Sequence, residues 1–255
     1  IQRGGALACV KHYAVNSQEF RRMILNAEVD ERALREIYLT GFEIAVKEGK
    51  PGALMTSYNQ VNGLQSNENP QLMLEILRKE WGYDGMVVTD WGGSDDHIRG
   101  IQCRTTIEMP DPGLHAAREV MHAVERGELR EAEIDACLSD YFRTLRRVAV
   151  QAKKAKPVDP LRQHALARRA ARESAVLLKN DGILPLTGEE TVALIGDFAR
   201  VPRYQGAGSS LVNSRRVETL RGAAHAASRT KTARHRERLC AARKRHEATG
   251  GETAP

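Results

Sequence analysis

The stretch "NPQLMLEILRKEWGYDGMVVTDWGG" (69–93) decides how the fold is read. Asn69 is a natural helix cap, Pro70 suits a first helical turn, and Gly82 is a natural stop. "GMVVTD" (85–90) then reads as a buried strand. It runs into one carboxylate, Asp90, followed by Trp91 and two glycines. A helix leading into such a strand is one unit of βα alternation. Taken alone, Asp90 also has a plain reading as a turn residue where a strand enters a loop.

Upstream, the alternation repeats. "ALACV" (6–10) reads as a strand ending at Lys11–His12. "DERALREIYLTGFEIAVKEG" (30–49) places Leu34, Ile37, Tyr38 and Phe42 at helical spacing, with Asp30 as N-cap and Gly49 as stop. "ALMTSYN" (53–59) is a second strand. Strand–helix–strand–helix–strand is the pattern of a parallel α/β sheet or barrel. The three strands end in Lys11–His12, Ser57–Tyr58–Asn59 and Asp90–Trp91. Parallel α/β proteins place their chemistry at such carboxyl ends.

Downstream, "TIEMP" (106–110) reads as a further strand, 113–127 and 131–151 as helices, and "KKAKPVDP" (153–160) as a linker. Residues 161–186 read as an amphipathic helix leading into an extended segment. "TVALIGDFA" (191–199) reads as a buried strand and "YQGAGSSLVN" (204–213) as a glycine-rich loop. A second domain is expected to begin near residue 165.

At 255 residues the chain can bury a substantial core. No apolar run approaches the ~18 residues of a membrane helix, and "IQRGGALACVKHY" lacks a signal-peptide layout. The start at Ile1 leads us to expect a stretch from inside a longer protein. Cys9, Cys103, Cys137 and Cys240 are widely spaced, so neither a metal site nor a disulfide framework is expected, and no cofactor motif is present. The net charge of +6 matches the nine Lys/Arg and three Glu of 221–255, leaving 1–220 neutral. That tail has few large apolar residues and is expected to be disordered. The body has no basic stripe with interleaved aromatics, so no nucleic-acid partner is expected, a tail-borne nucleic-acid binder being the weaker alternative.

The strand-end residues suit one chemistry. A retaining glycosidase needs a carboxylate nucleophile, a second group to protonate the leaving oxygen, donors for sugar hydroxyls and an aromatic face. Asp90 fits the first need, Lys11, His12 and Arg22 the donors, and Tyr58 and Trp91 the rings. Each also has a plainer reading: Lys11 and His12 as strand caps, Arg22 as a surface arginine, Tyr58 and Trp91 as core aromatics. "GAGSS" (206–210) matches neither a P-loop nor G-x-G-x-x-G.

"KHYAVNSQEFRR", "ALMTSYNQVNG", "ENPQLMLEILRKEWGYDGMVVTDWGG" and "ARESAVLLKNDGILPL", in that order, resemble glycoside hydrolase family 3 in its β-glucosidase branch, from about Leu7 to Leu220. The resemblance implies the C-terminal half of a (β/α)8 TIM-like barrel (1–152), a linker (153–164) and the start of an α/β sandwich domain (165–220), with the tail (221–255) beyond. It also implies a retaining hydrolase of β-linked glucosides or related sugars. Asp90 corresponds to the catalytic nucleophile; Lys11, His12, Arg22, Met55, Tyr58 and Trp91 correspond to substrate-binding positions. The expected partner is a β-glucoside or oligosaccharide, with no cofactor, metal, membrane or nucleic acid.

Two departures accompany the match, and one absence speaks against the family's other branch. The family's acid/base glutamate lies on the sandwich domain past the matched residues, and Glu189 and Glu190 are poorly placed to replace it, so no acid/base residue is assigned. The chain alone is therefore expected to be an incomplete, inactive fragment, the alternative to an enzyme being a non-catalytic truncated product. In "GIQCRTTIEMP" (100–110), Arg104 and Thr106 replace a typical glycine and aspartate, which puts the last strand in question. "KHYAVN" also lacks the "PGHG" continuation of the family's β-N-acetylhexosaminidase branch.

Overall fold

The computed structural model describes residues 1–153, 155, 157–187, 190–206 and 211–228. Among these, six strands form: β1 (Cys9–Tyr13), β2 (Asn26–Ala27), β3 (Ala53–Thr56), β4 (Gln60–Val61), β5 (Leu64–Gln65) and β6 (Met86–Val88). β1, β3 and β6 make one parallel sheet in that order. Cys9 lies opposite Ala53, and Met55 opposite Val88. Helices connect these strands over 31–49 and Gln71–Glu80, so the βα alternation of the sequence is present as a parallel sheet.

Beyond β6, Ile107 bridges Val88 in parallel, and the Thr89 N–H donates to the Ile107 carbonyl at 3.0 Å. The "TIEMP" strand thus shrinks to a single bridge on the edge of β6, but its order in the sheet is as the alternation requires. The observed strands are otherwise shifted or shorter than expected: β1 starts at Cys9 and β3 ends at Thr56.

Asp30 caps the first helical stretch, its carboxylate accepting from the Ala33 N–H at 2.9 Å. The stop is not Gly49 itself: Lys50, with φ of 46°, takes the left-handed position after it. The buried face also differs from the expected one. Leu34 and Leu39 are buried while Ile37 is 69% exposed. Residues 34–39 are wound with the wider π-helical repeat, which stacks residues five apart. Asn69 behaves as anticipated, its side-chain oxygen accepting from the Leu72 N–H at 3.2 Å.

The core lies between the sheet and these helices. Tyr13 is fully buried, meets Phe42 and Trp81 edge-on at 5.3 and 5.9 Å, and donates its hydroxyl to the Leu72 carbonyl at 2.8 Å. Helix Glu131–Ala152 adds a buried charge cluster. Its Asp140 is fully buried and receives Arg104 through two contacts of 2.8 Å, Arg78 at 3.1 Å and Arg143 at 3.0 Å. Arg104 has φ of 64°. This side chain therefore occupies a backbone region that favours glycine, and is held by a buried carboxylate.

The chain divides into two compact units, Ile1–Pro160 and Leu161–Pro255. In the second, helix Pro160–Glu173 leads into extended chain. Residues 191–199 do not form the expected buried strand. Ile195 and Phe198 are exposed, and Asp197–Ala199 is a short 3-10 turn. A strand needs a ladder partner, and the described residues after 161 contain none. The expected tail also begins differently, because Leu220–Ser228 is helical. Its remainder (229–255), residues 207–210 of the "GAGSS" loop, and Glu189 lie outside the described residues. Among the described residues no helix is long and apolar enough to cross a membrane.

Candidate active site at the carboxyl ends of the parallel strands

Asp90 follows β6 by two residues and is only 8% exposed. Its neighbours hold it from several sides. The Trp91 N–H donates to Asp90 Oδ1 at 2.8 Å, and the Gly93 N–H closes the turn on the Asp90 carbonyl at 2.9 Å. A side chain at Gly93 would press its Cβ to 3.3 Å from that carbonyl and 3.5 Å from the Tyr58 ring, and Gly92 has φ of 78°. The two glycines therefore permit a turn that packs tightly on the end of β3. The Gly92 N–H also donates to the Met109 carbonyl at 2.8 Å, and the Met109 N–H to Thr89 Oγ1 at 2.8 Å, so both flanks of Asp90 are pinned to the 107–109 segment.

From β1, His12 brings Nε2 to 3.4 Å from Asp90 Oδ2. Burial is the first cause that pushes His12 below its usual range, and the Lys11 charge adds to it against the pull of Asp90. The neutral ring is thus favoured beside the carboxylate. The Lys11–His12 and Tyr13–Ala14 peptide bonds are cis. From the end of β3, Tyr58 presents a phenol raised above its usual range by burial and then by the Asp90 charge. Arg22 lies over the Tyr58 ring at 5.0 Å and is paired with Glu19 at 2.8 Å.

Four of the seven singled-out residues, His12, Arg22, Tyr58 and Asp90, are therefore gathered in one place. Trp91 adjoins Asp90 and is 50% exposed, so it is no core aromatic. Met55 is half-buried on β3, beside β6. Lys11 is exposed, and its action on the cluster is through the field it places on His12. Among the described residues no three His, Cys, Asp or Glu side chains gather as a metal-binding group.

The loop that carries Arg22 is fixed by residues no sequence pattern singled out. Asn62 and Gly63 form the hairpin turn between β4 and β5, with φ of 52° and 88°. Asn62 Oδ1 accepts from the Val29 N–H at 2.9 Å and its Nδ2 donates to the Val29 carbonyl at 3.0 Å, while Asn26 Oδ1 accepts from the Gly63 N–H at 2.7 Å. β2 pairs in parallel with β4 and completes this strap. The N-G dipeptide was the available signal.

Comparison with known proteins decides the family. Residues 1–140 match the model of the glycosyl hydrolase family 3 N terminal domain. The chain belongs to glycosyl hydrolase family 3. Among family 3 relatives, it is 41% identical over 221 residues to thermostable beta-glucosidase B of Acetivibrio thermocellus, a match covering 86% of this chain and 29% of that protein. Among family 3 structures, the beta-glucosidase of Bifidobacterium adolescentis superposes with a TM-score of 0.78 at 35% identity, covering 89% of this chain and 33% of that one. Beta-glucosidase 3B of Thermotoga neapolitana, solved with alpha-D-glucose, gives 0.77 at 33% identity, covering 88% and 32%. The chain thus spans about a third of the length of these family 3 relatives.

Proposed function

We propose that the chain is the nucleophile-bearing part of a retaining glycoside hydrolase that removes β-linked glucose or a related sugar from a nonreducing end. On this reading residues 1–152 are the later half of a (β/α)8 barrel, 153–164 a linker and 165–220 the start of a sandwich domain. The observation that carries it is Asp90: a buried carboxylate at a parallel strand end, faced by His12 and held in one orientation by the Trp91 N–H. The three relatives described above are named beta-glucosidases, which supports the sugar class.

Asp90 attacks the anomeric carbon as the glycosidic C–O bond breaks, and the departing oxygen takes a proton from a general acid. Water then attacks the same carbon, the ester to Asp90 breaks, and the water's proton returns to that acid's conjugate base. Lys11, His12 and Arg22 hold sugar hydroxyls, Tyr58 orients Asp90, and Met55 and Trp91 line the sugar's apolar surface. No general acid is assigned among residues 1–220.

The test uses 2,4-dinitrophenyl 2-deoxy-2-fluoro-β-glucoside, whose leaving group needs no proton. Incubated with the complete gene product, it is expected to add one fluoroglucosyl group to the peptide containing Asp90, read by mass spectrometry. Labelling elsewhere, or none, rejects the assignment.

A further inference from the structure

Outside the cluster around Asp90, the most deeply buried carboxylate near it is Glu68, 5% exposed in the short turn Ser66–Glu68. A charge so placed requires strong partners. Here N–H and O–H donors meet it. Its Oε1 accepts from the Asp95 N–H at 2.6 Å and the Asp96 N–H at 2.9 Å, with the Ser94 hydroxyl at 3.3 Å and the Asn67 amide at 3.4 Å. The three acceptances from 94–96 grip the residues that immediately follow the Asp90–Gly93 turn.

The grip is anchored on both sides. Asn67 Nδ2 donates to Ser94 Oγ at 3.0 Å, and the Thr105 hydroxyl donates to the Asn67 carbonyl at 2.9 Å. Ser66 Oγ lies 2.6 Å from Ser57 Oγ, which ties the turn to the end of β3. Thr89 and Gly92 fix the Asp90 turn to 107–109, and Glu68 fixes its far end to β3. A turn so clamped holds its carboxylate in one direction.

We propose that Glu68 is a positioning residue for Asp90, acting through the backbone of residues 94–96. This rests on the reading of Asp90 as nucleophile. All four contacts use one oxygen, so an uncharged acceptor in the same place can keep them. Glutamine keeps that oxygen; alanine takes the acceptor away from the Asp95 and Asp96 N–H groups.

The experiment measures the rate of Asp90 labelling by 2,4-dinitrophenyl 2-deoxy-2-fluoro-β-glucoside in the complete gene product and its variants. The carboxylate forms a bond to the anomeric carbon while dinitrophenolate departs with the bonding pair, so no proton is required. In Glu68→Ala the limiting labelling rate is expected to fall about 10²-fold, the scale of a misplaced reacting group. The half-saturating concentration should stay unchanged, and amide exchange at Asp95 and Asp96 should quicken. Glu68→Gln should restore both the rate and the protection. Full-rate labelling of Glu68→Ala overturns the proposal, as does an equal loss in Glu68→Gln. If Glu68→Ala does not fold, Glu68→Asp withdraws the oxygen by one methylene, and an unchanged rate there is equally fatal. An unlabelled parent protein sinks the nucleophile reading and this inference together; a labelled parent that Glu68→Ala matches sinks the inference alone.

Discussion

Leu54, Leu77 and Val87 in the first unit are fully buried, whereas Leu178 in the second is 92% exposed and Ile195 nearly as much. Both units are supplied with apolar residues; what differs is pairing. In the first, the apolar runs at 9–13, 53–56 and 86–88 pair with one another, and the ladder β1-β3-β6 forms. In the second, "TVALIGDFA" has the composition of a central strand and, among the described residues, no strand to join. Apolar composition proposes an element, but the hydrogen-bond partner decides whether it exists.

The contrast can be tested by substitution, beginning with its functional side. Asp90→Asn in the complete gene product should lower glucoside hydrolysis by about 10⁴-fold, the scale of losing a reacting group, with an unchanged circular dichroism spectrum. A loss of fold instead would mean that Asp90 is structural. Next in size is Asp140→Ala, which strands three arginines around a buried site and should cost about 3–5 kcal/mol in a urea melt. A paired measurement addresses the two units directly. Leu77→Ala should cost about 2–5 kcal/mol, and Leu178→Ala less than about 0.5 kcal/mol. Equal costs would erase the distinction drawn here.

Asp30→Ala should cost about 1 kcal/mol through the lost cap. The smallest effect concerns pH. Because the His12 value is depressed in the folded protein, the unfolded chain binds the proton more readily. The associated stabilisation is whole above about pH 6.5, the ordinary histidine value, and is lost as pH falls through the folded value. Thermal melts of the parent should therefore fall relative to those of His12→Gln as pH drops through that window, with a constant offset between the two above it.

Much of the first unit was legible because its signals are local. Asp30 and Asn69 announced helix starts by chemistry that needs no tertiary partner. Apolar runs marked three strands, although their ends moved by a few residues. The polar residues at those ends identified where Asp90, His12, Tyr58 and Arg22 meet. What stayed hidden depends on distant partners. Ile37 seemed to belong to the buried face because a 3.6-residue repeat was assumed, and the π winding broke that repeat. Glu68 looked like any loop glutamate, since its meaning lies in backbone N–H groups 27 and 28 residues away. The strand at 191–199 failed for the complementary reason, its pattern being present without its partner.

Arg104 and Asp140 cannot vary independently. A bulky side chain in a left-handed backbone is a handicap, offset here by a carboxylate on helix Glu131–Ala152. An arginine arising at 104 before an acid stood at 140 would have met the handicap without the remedy. Losing the acid now would be milder if glycine returned at 104 first. A double-mutant cycle of Arg104→Gly with Asp140→Ala should be strongly non-additive.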